Sequence, residues 1–111
     1  CNHVLEHVED YHKVLAEFYR VMKPGGWGIF QVPIDTNNPK TLEDKSITDP
    51  KERERLYWQD DHLRLFGLDY GKKLKKAGFK VTESNFINEL DPKLVERYAL
   101  PIGEIVYFCE K

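Results

Sequence analysis

Two short stretches of this sequence carry the side chains that could do chemistry. The first is Asn2-His3-Val4-Leu5-Glu6-His7 and the second is Tyr57-Trp58-Gln59-Asp60-Asp61-His62-Leu63-Arg64. An imidazole exchanges protons near neutral pH, so His7 is a candidate general base, with the Glu6 carboxylate beside it to orient or assist. The competing roles are structural: His7 hydrogen-bonding the loop backbone, and Glu6 fixing the loop's shape. In the second stretch His62 and Arg64 alternate with Leu63 and Leu65. On an extended backbone they share a face, where they could bind an acidic or polar small molecule. The competing role is a surface ion pair with Asp60 or Asp61. Tyr57 and Trp58 could line the same pocket or pack in the core. Asp60, Asp61 and His62 raise the question of a metal. Neighbouring residues on an extended piece point in opposite directions, and no second cluster is evident in the sequence, so no metal is expected.

The elements that must position these residues can be read from periodicity. Asp10 is a helix N-cap, and Tyr11, Val14, Leu15, Phe18, Val21 and Met22 then recur as one apolar stripe. His12, Lys13, Glu17 and Arg20 fall off the stripe, and Glu17 can pair with Arg20 one turn on. Pro24 ends the helix and Gly25-Gly26 permit a sharp exit. Trp27, Ile29, Phe30 and Val32 form a run that is apolar on both faces, as in a parallel strand covered on both sides. The piece before Asp10 then reads as the end of another parallel strand, joined by a right-handed crossover. In such open sheets ligands sit beyond the carboxyl ends of strands, which is where Asn2 to His7 would lie.

Ile34 to Asp49 is a long polar loop. Asp49-Pro50 opens a helix of about two turns. Gln59 to Phe66 reads as extended. A second long helix starts near Asp69, faces inward through Tyr70, Leu74 and Ala77, and ends at Gly78. Its lysines, Lys72, Lys73, Lys75 and Lys76, form a solvated face. Phe79 to Phe86 is a strand, Asp91-Pro92 opens a short helix, and Ile105 to Cys109 is a last apolar strand.

Bulk properties narrow the function classes. The chain has 111 residues, 41% hydrophobic and 32% charged, enough for one soluble domain. A formal net charge of −2 supplies no field for nucleic acid or anionic lipid. No apolar run approaches the roughly 20 residues that span a bilayer. Two cysteines near opposite ends, Cys1 and Cys109, read as reduced thiols of a cytoplasmic protein.

The segment Val4-Leu5-Glu6-His7-Val8-Glu9-Asp10, followed by Arg20-Val21-Met22-Lys23-Pro24-Gly25-Gly26, resembles the second half of a class I S-adenosylmethionine-dependent methyltransferase. Met22 stands where that family usually has leucine. Ala77-Gly78-Phe79-Lys80-Val81 resembles the family's entry into its sixth strand. The resemblance implies an α/β fold, the C-terminal part of a Rossmann-like sheet. It would contain the end of the fourth strand, then the fifth and sixth, with an antiparallel seventh between those two.

It further implies a single partial domain over residues 1–111, S-adenosylmethionine as cofactor and a small-molecule acceptor. Asn2 and His3 would line the cofactor's methionine side, and Glu6 and His7 would flank the transfer centre. Tyr57, His62 and Arg64 would belong to the segment that covers the substrate. The family's glycine-rich turn after a strand is not among these residues, since Gly25-Gly26 follow a helix. Nor is its acidic ribose-binding residue at the end of the second strand. The expectation is therefore a fragment, inactive alone. The alternative is a non-catalytic half-sheet that self-associates, for example as a homodimer, to cover the edge from Asn2 to Leu5.

Overall fold

Helix α1 spans Tyr11–Val21 in a computed structural model that describes residues 1–111. Asp10 caps it by accepting from the Lys13 amide at 3.0 Å. Tyr11 and Leu15 are buried, and Val14, Phe18 and Met22 pack against the core. Val21, expected on the apolar stripe, is instead 62% exposed, because it stands on the outer flank of the last turn. The exit is sharp: Gly25 takes φ +74°, and its amide and the Gly26 carbonyl pair with the backbone of Lys111. The Lys111 ammonium donates to the Tyr19 carbonyl at 2.6 Å, at the negative end of α1.

Three strands follow: β1 (Trp27–Ile29), β2 (Lys80–Ser84) and β3 (Val106–Glu110). Their order in the sheet is β1-β3-β2, with β3 antiparallel to both neighbours. The last strand in the sequence is thus the central one. Cys109 faces Gly28 on one side and Val81 on the other. A Cβ on Gly28 would lie 2.9 Å from the Phe30 ring, so only glycine lets that ring fold back beneath the strand. The first residues join the sheet's edge by one parallel bridge, Asn2 to Gln31. Leu5 does not lie on an open edge at all: it is wholly buried in the core.

Tyr107 and Cys109 point toward α1 and toward α3 (Tyr70–Lys76), where Phe18 stacks on Phe30 and Tyr70 meets Tyr107 edge-on. Both helices cover the same face. The other face carries Trp27, 64% exposed and stacked on Phe108, and Ile29, 40% exposed. The expectation of a strand covered on both sides therefore fails for β1, whose Trp27 and Ile29 side chains face outward. Burial pushes the Cys109 thiol up to about 12.

Helix α2 (Pro50–Tyr57) starts as expected, with the Asp49 carboxylate accepting from Glu52 N. The helix expected to be long, α3, has only seven residues. The residues before it are held by the long loop: Asp69 accepts from the Thr41 amide and hydroxyl at 2.8 and 2.7 Å, and Leu68 N donates to Asn38 O. That loop is pinned further by bridges from Ile34 to Phe66 and from Leu42 to Leu65. Gly78 ends the helix at φ +109°. A 3-10 turn (Phe86–Glu89) and α4 (Pro92–Arg97) lead into β3.

Candidate functional site

Backbone geometry drives the first chemical stretch into the protein. His3 donates its amide to Gln31 O and then takes φ +52°, which turns the chain off the sheet's edge. A second turn, His7 N to Val4 O at 3.1 Å, places Leu5 and Glu6 inside, 0% and 1% exposed. Leu63 N donates to Glu6 O at 2.9 Å and so brings the second stretch alongside the first.

Arg64 fastens the two stretches together. Its guanidinium, 1% exposed, donates to the carbonyls of Leu5 at 2.7 Å, Val8 at 2.5 Å and Glu9 at 3.0 Å, and to the Glu43 carboxylate at 2.9 Å. It also lies over the Tyr11 ring, 5.0 Å from its centroid. The fork of a guanidinium is suited to such multiple acceptance.

Around this clamp a cluster forms that spans more than fifty positions of sequence. The His7 and His62 rings meet edge-on with centroids 4.7 Å apart. His7 Nδ1 lies 3.1 Å from the Asp61 carboxylate and its Nε2 lies 3.8 Å from Glu6 Oε1. His3 Nδ1 approaches the same Glu6 oxygen to 3.5 Å. His62 Nδ1 is 2.7 Å from the Tyr57 carbonyl. A carbonyl only accepts, so this nitrogen carries the hydrogen, and in the neutral ring Nε2 presents a lone pair. Neither Glu6 oxygen nor His62 Nε2 has a hydrogen-bond partner.

The expected site residues are distributed as follows. Glu6, His7 and His62 come together. Asn2 and His3 stay exposed, and His3 lines a cavity of about 510 Å³ with Val32, Pro33, Ile34, Thr36 and residues 101 to 105. Tyr57 is 1% exposed, and its hydroxyl accepts from the Asp44 amide at 3.0 Å. Arg64 pairs with Glu43 rather than with Asp60 or Asp61, and it borders a separate cleft with Glu9, Lys45 and Arg53. The Asp61–His7 pair was not anticipated; its only sequence signal was an acid next to His62, which reads equally well as a local surface pair. Gln31 was missed too. Its amide donates to Glu104 Oε1 and Ile105 O, both at 3.0 Å, and its oxygen accepts from Tyr107 N, so it ties one cavity wall to β3.

The sequence profile of a family described as a methyltransferase domain matches residues 1–84. That span contains every residue of the cluster and of the Arg64 clamp. No curated protein and no solved structure matches the chain significantly.

Proposed function

The chain belongs to this methyltransferase-domain family, and on that premise we propose that it is part of an S-adenosylmethionine-dependent methyltransferase acting on a small molecule. The observation that carries the reading is the pairing of the family match with a proton-handling cluster at the carboxyl end of the first segment. On this reading the three strands are the fifth, sixth and seventh of a Rossmann-like sheet, and the bridge at Asn2 marks the fourth. The β1-β3-β2 order agrees with that numbering.

Asn2 and His3 fit the methionine part of the cofactor, because they are exposed polar groups beside the cavity that His3 lines. When bound, S-adenosylmethionine supplies an electrophilic methyl group. The chain's own residues handle the acceptor. The Asp61 carboxylate, 3.1 Å from His7 Nδ1, favours the hydrogen on that nitrogen, so that Nε2, beside Glu6, takes the acceptor's proton, a role worth about 10²- to 10⁴-fold in rate. Glu6 stabilises the imidazolium that results. His62 packs against the His7 ring and is held by the Tyr57 carbonyl, while Arg64 positions the loop that carries His7.

The ribose and adenine would be held by residues outside these 111, so the chain alone is expected to be inert. Reading the gene upstream of Cys1 and titrating the longer chain with S-adenosylhomocysteine tests this. Saturable heat that weakens in His3→Ala is expected. A longer chain with no glycine-rich turn after a strand, or with no affinity, overturns the reading. Turnover by the 111-residue chain alone overturns the half-site part of it.

The alternative is a non-catalytic, self-associating module, and the exposed Trp27 and Ile29 favour it. Sedimentation as a monomer at high concentration counts against that alternative. A cytoplasmic location belongs to the same proposal; no helix is long and apolar enough to cross a membrane.

A further inference from the structure

Glu6 presents two buried carboxylate oxygens to which no protein group donates, and His62 Nε2 is equally unpartnered. Buried polar groups are normally satisfied, and an isolated buried charge is costly. The neighbouring rings sharpen the point. With its hydrogen on Nδ1, the nitrogen that lies 3.1 Å from the Asp61 carboxylate, a neutral His7 directs its Nε2 lone pair toward the Glu6 carboxylate at 3.8 Å. Lone pair facing anion is repulsive unless a positive charge lies between them.

We infer that Glu6, His7 and His62 form a binding site for one divalent transition-metal cation of the zinc type. Each residue offers one ligand atom, and the three atoms lie within 4.8 Å of one another. Tetrahedral zinc with bonds of about 2.0–2.2 Å sets its ligands roughly 3.3 Å apart, so side-chain rotations of about 1–1.5 Å close the site. Two imidazoles and one carboxylate suit zinc and its neighbours in the series. Magnesium and calcium ask for a shell of oxygens that one carboxylate does not provide. Outer partners are at hand: a carboxylate lies 3.1 Å from His7 Nδ1 and a backbone carbonyl orients His62, the two kinds of partner that metal-ligating histidines commonly have. His7, half-exposed, is the side from which an ion enters.

Three protein ligands leave one tetrahedral position open to water or to an oxygen of a ligand. Ligation uses the same His7 lone pair assigned above to proton transfer, so in the loaded protein the ion replaces the imidazole as the activating group. That consequence rests on the methyltransferase reading. The binding site itself does not.

The test is calorimetric titration of the untagged, chelator-stripped chain with zinc chloride, with visible absorption of the cobalt-substituted protein as a second readout. One ion per chain is expected, with the intense bands of tetrahedral cobalt. His7→Gln, at a half-exposed position, should weaken binding more than 100-fold. Asp61→Asn removes only an orienting partner and should weaken it about 10- to 100-fold. His12→Gln and Cys1→Ser should leave it unchanged. No saturable binding at millimolar zinc, equal affinity in His7→Gln, or loss of binding in Cys1→Ser overturns the inference. A doubly protonated His7 bridging Glu6 and Asp61 would give the first of these results. Because the titration uses neither cofactor nor acceptor, its failure leaves the methyltransferase reading standing.

Discussion

Replacing Arg64 by methionine tests whether the clamp holds the site together. Methionine keeps much of the stem's packing but removes every donor. The carbonyls of Leu5, Val8 and Glu9 lose their guanidinium partner, and so does Glu43. Hydrogen bonds to charged groups contribute about 1.5–3 kcal/mol each but do not add when they share one donor group. Glu43 is 29% exposed and can rehydrate, whereas the Leu5 carbonyl belongs to a fully buried residue. Breaking a buried charge pair costs about 3–5 kcal/mol, and the lower part of that range applies with one partner at the surface. A loss of about 3–4 kcal/mol is a large share of the roughly 5–15 kcal/mol that stabilises a domain of this size. It corresponds to a fall in Tm of at least about 12 °C.

Urea unfolding followed by far-ultraviolet circular dichroism measures it. Glu43→Gln should cost about 1 kcal/mol, since the three carbonyl bonds survive. Arg55→Met, in an exposed pair with Glu52, should leave the midpoint where it is. If Arg64→Met stays within about 1 kcal/mol of the wild type, the loop from Leu5 to Glu9 is held by something other than this guanidinium, and the reasoning fails.

Three further outcomes are expected. Gly67→Ala places a Cβ 2.6 Å from the Lys40 carbonyl and 2.7 Å from Asn38 O, both backbone, so it should destabilise by about 1–3 kcal/mol; Gly71→Ala meets only the flexible end of Glu83 and should cost far less in the same urea assay. At Asp69, burial pushes the carboxyl up, but bonds from Thr41 and Lys73 pull it down further, to below its usual 3.8. A carboxyl with a depressed folded value adds stability above its unfolded value and loses it as pH falls through the folded one. The wild-type urea midpoint should therefore drop more steeply than that of Asp69→Asn below about pH 4, and parallel curves would refute this. The Cys109 thiol is buried and raised to about 12, so a thiol reagent at neutral pH should label Cys1 quickly and Cys109 only after unfolding.

Local features were the most legible. Asp10, Asp49 and Asp91 cap the helices they were read as starting, because a carboxylate-to-amide bond spans two or three residues and depends on nothing distant. The exit at Gly25 and the stop at Gly78 were legible for the same reason. The start of α3 beside Asp69 was legible too, but the partner of that carboxylate was not: it accepts from Thr41, 28 positions away, and not from the helix's first amides. Nor was the bare face of β1, because an apolar run does not say what lies opposite it. At the site, Glu6 and His7 announced themselves by residue type. Their meeting with His62 depends on Arg64 reaching back more than fifty residues to three carbonyls, and main-chain acceptors leave no trace in a sequence.

The position of β3 has a consequence for how the chain comes to be folded. Strands β1 and β2 do not pair with each other; each pairs with β3, which follows both in the sequence. During synthesis all four of these helices and both flanking strands are made before the first ladder bond among these three strands can form. Until then Trp27 and Val81 have no strand between them, and β1 and β2 each present an unzipped edge where β3 will pair. Contacts such as Gly28 with Cys109 close a loop of some eighty residues, an ordering cost met in one late step. A chain halted a few residues short of Val106 would hold all four helices but neither of these ladders, and it would be a target for chaperones or for pairing with another copy.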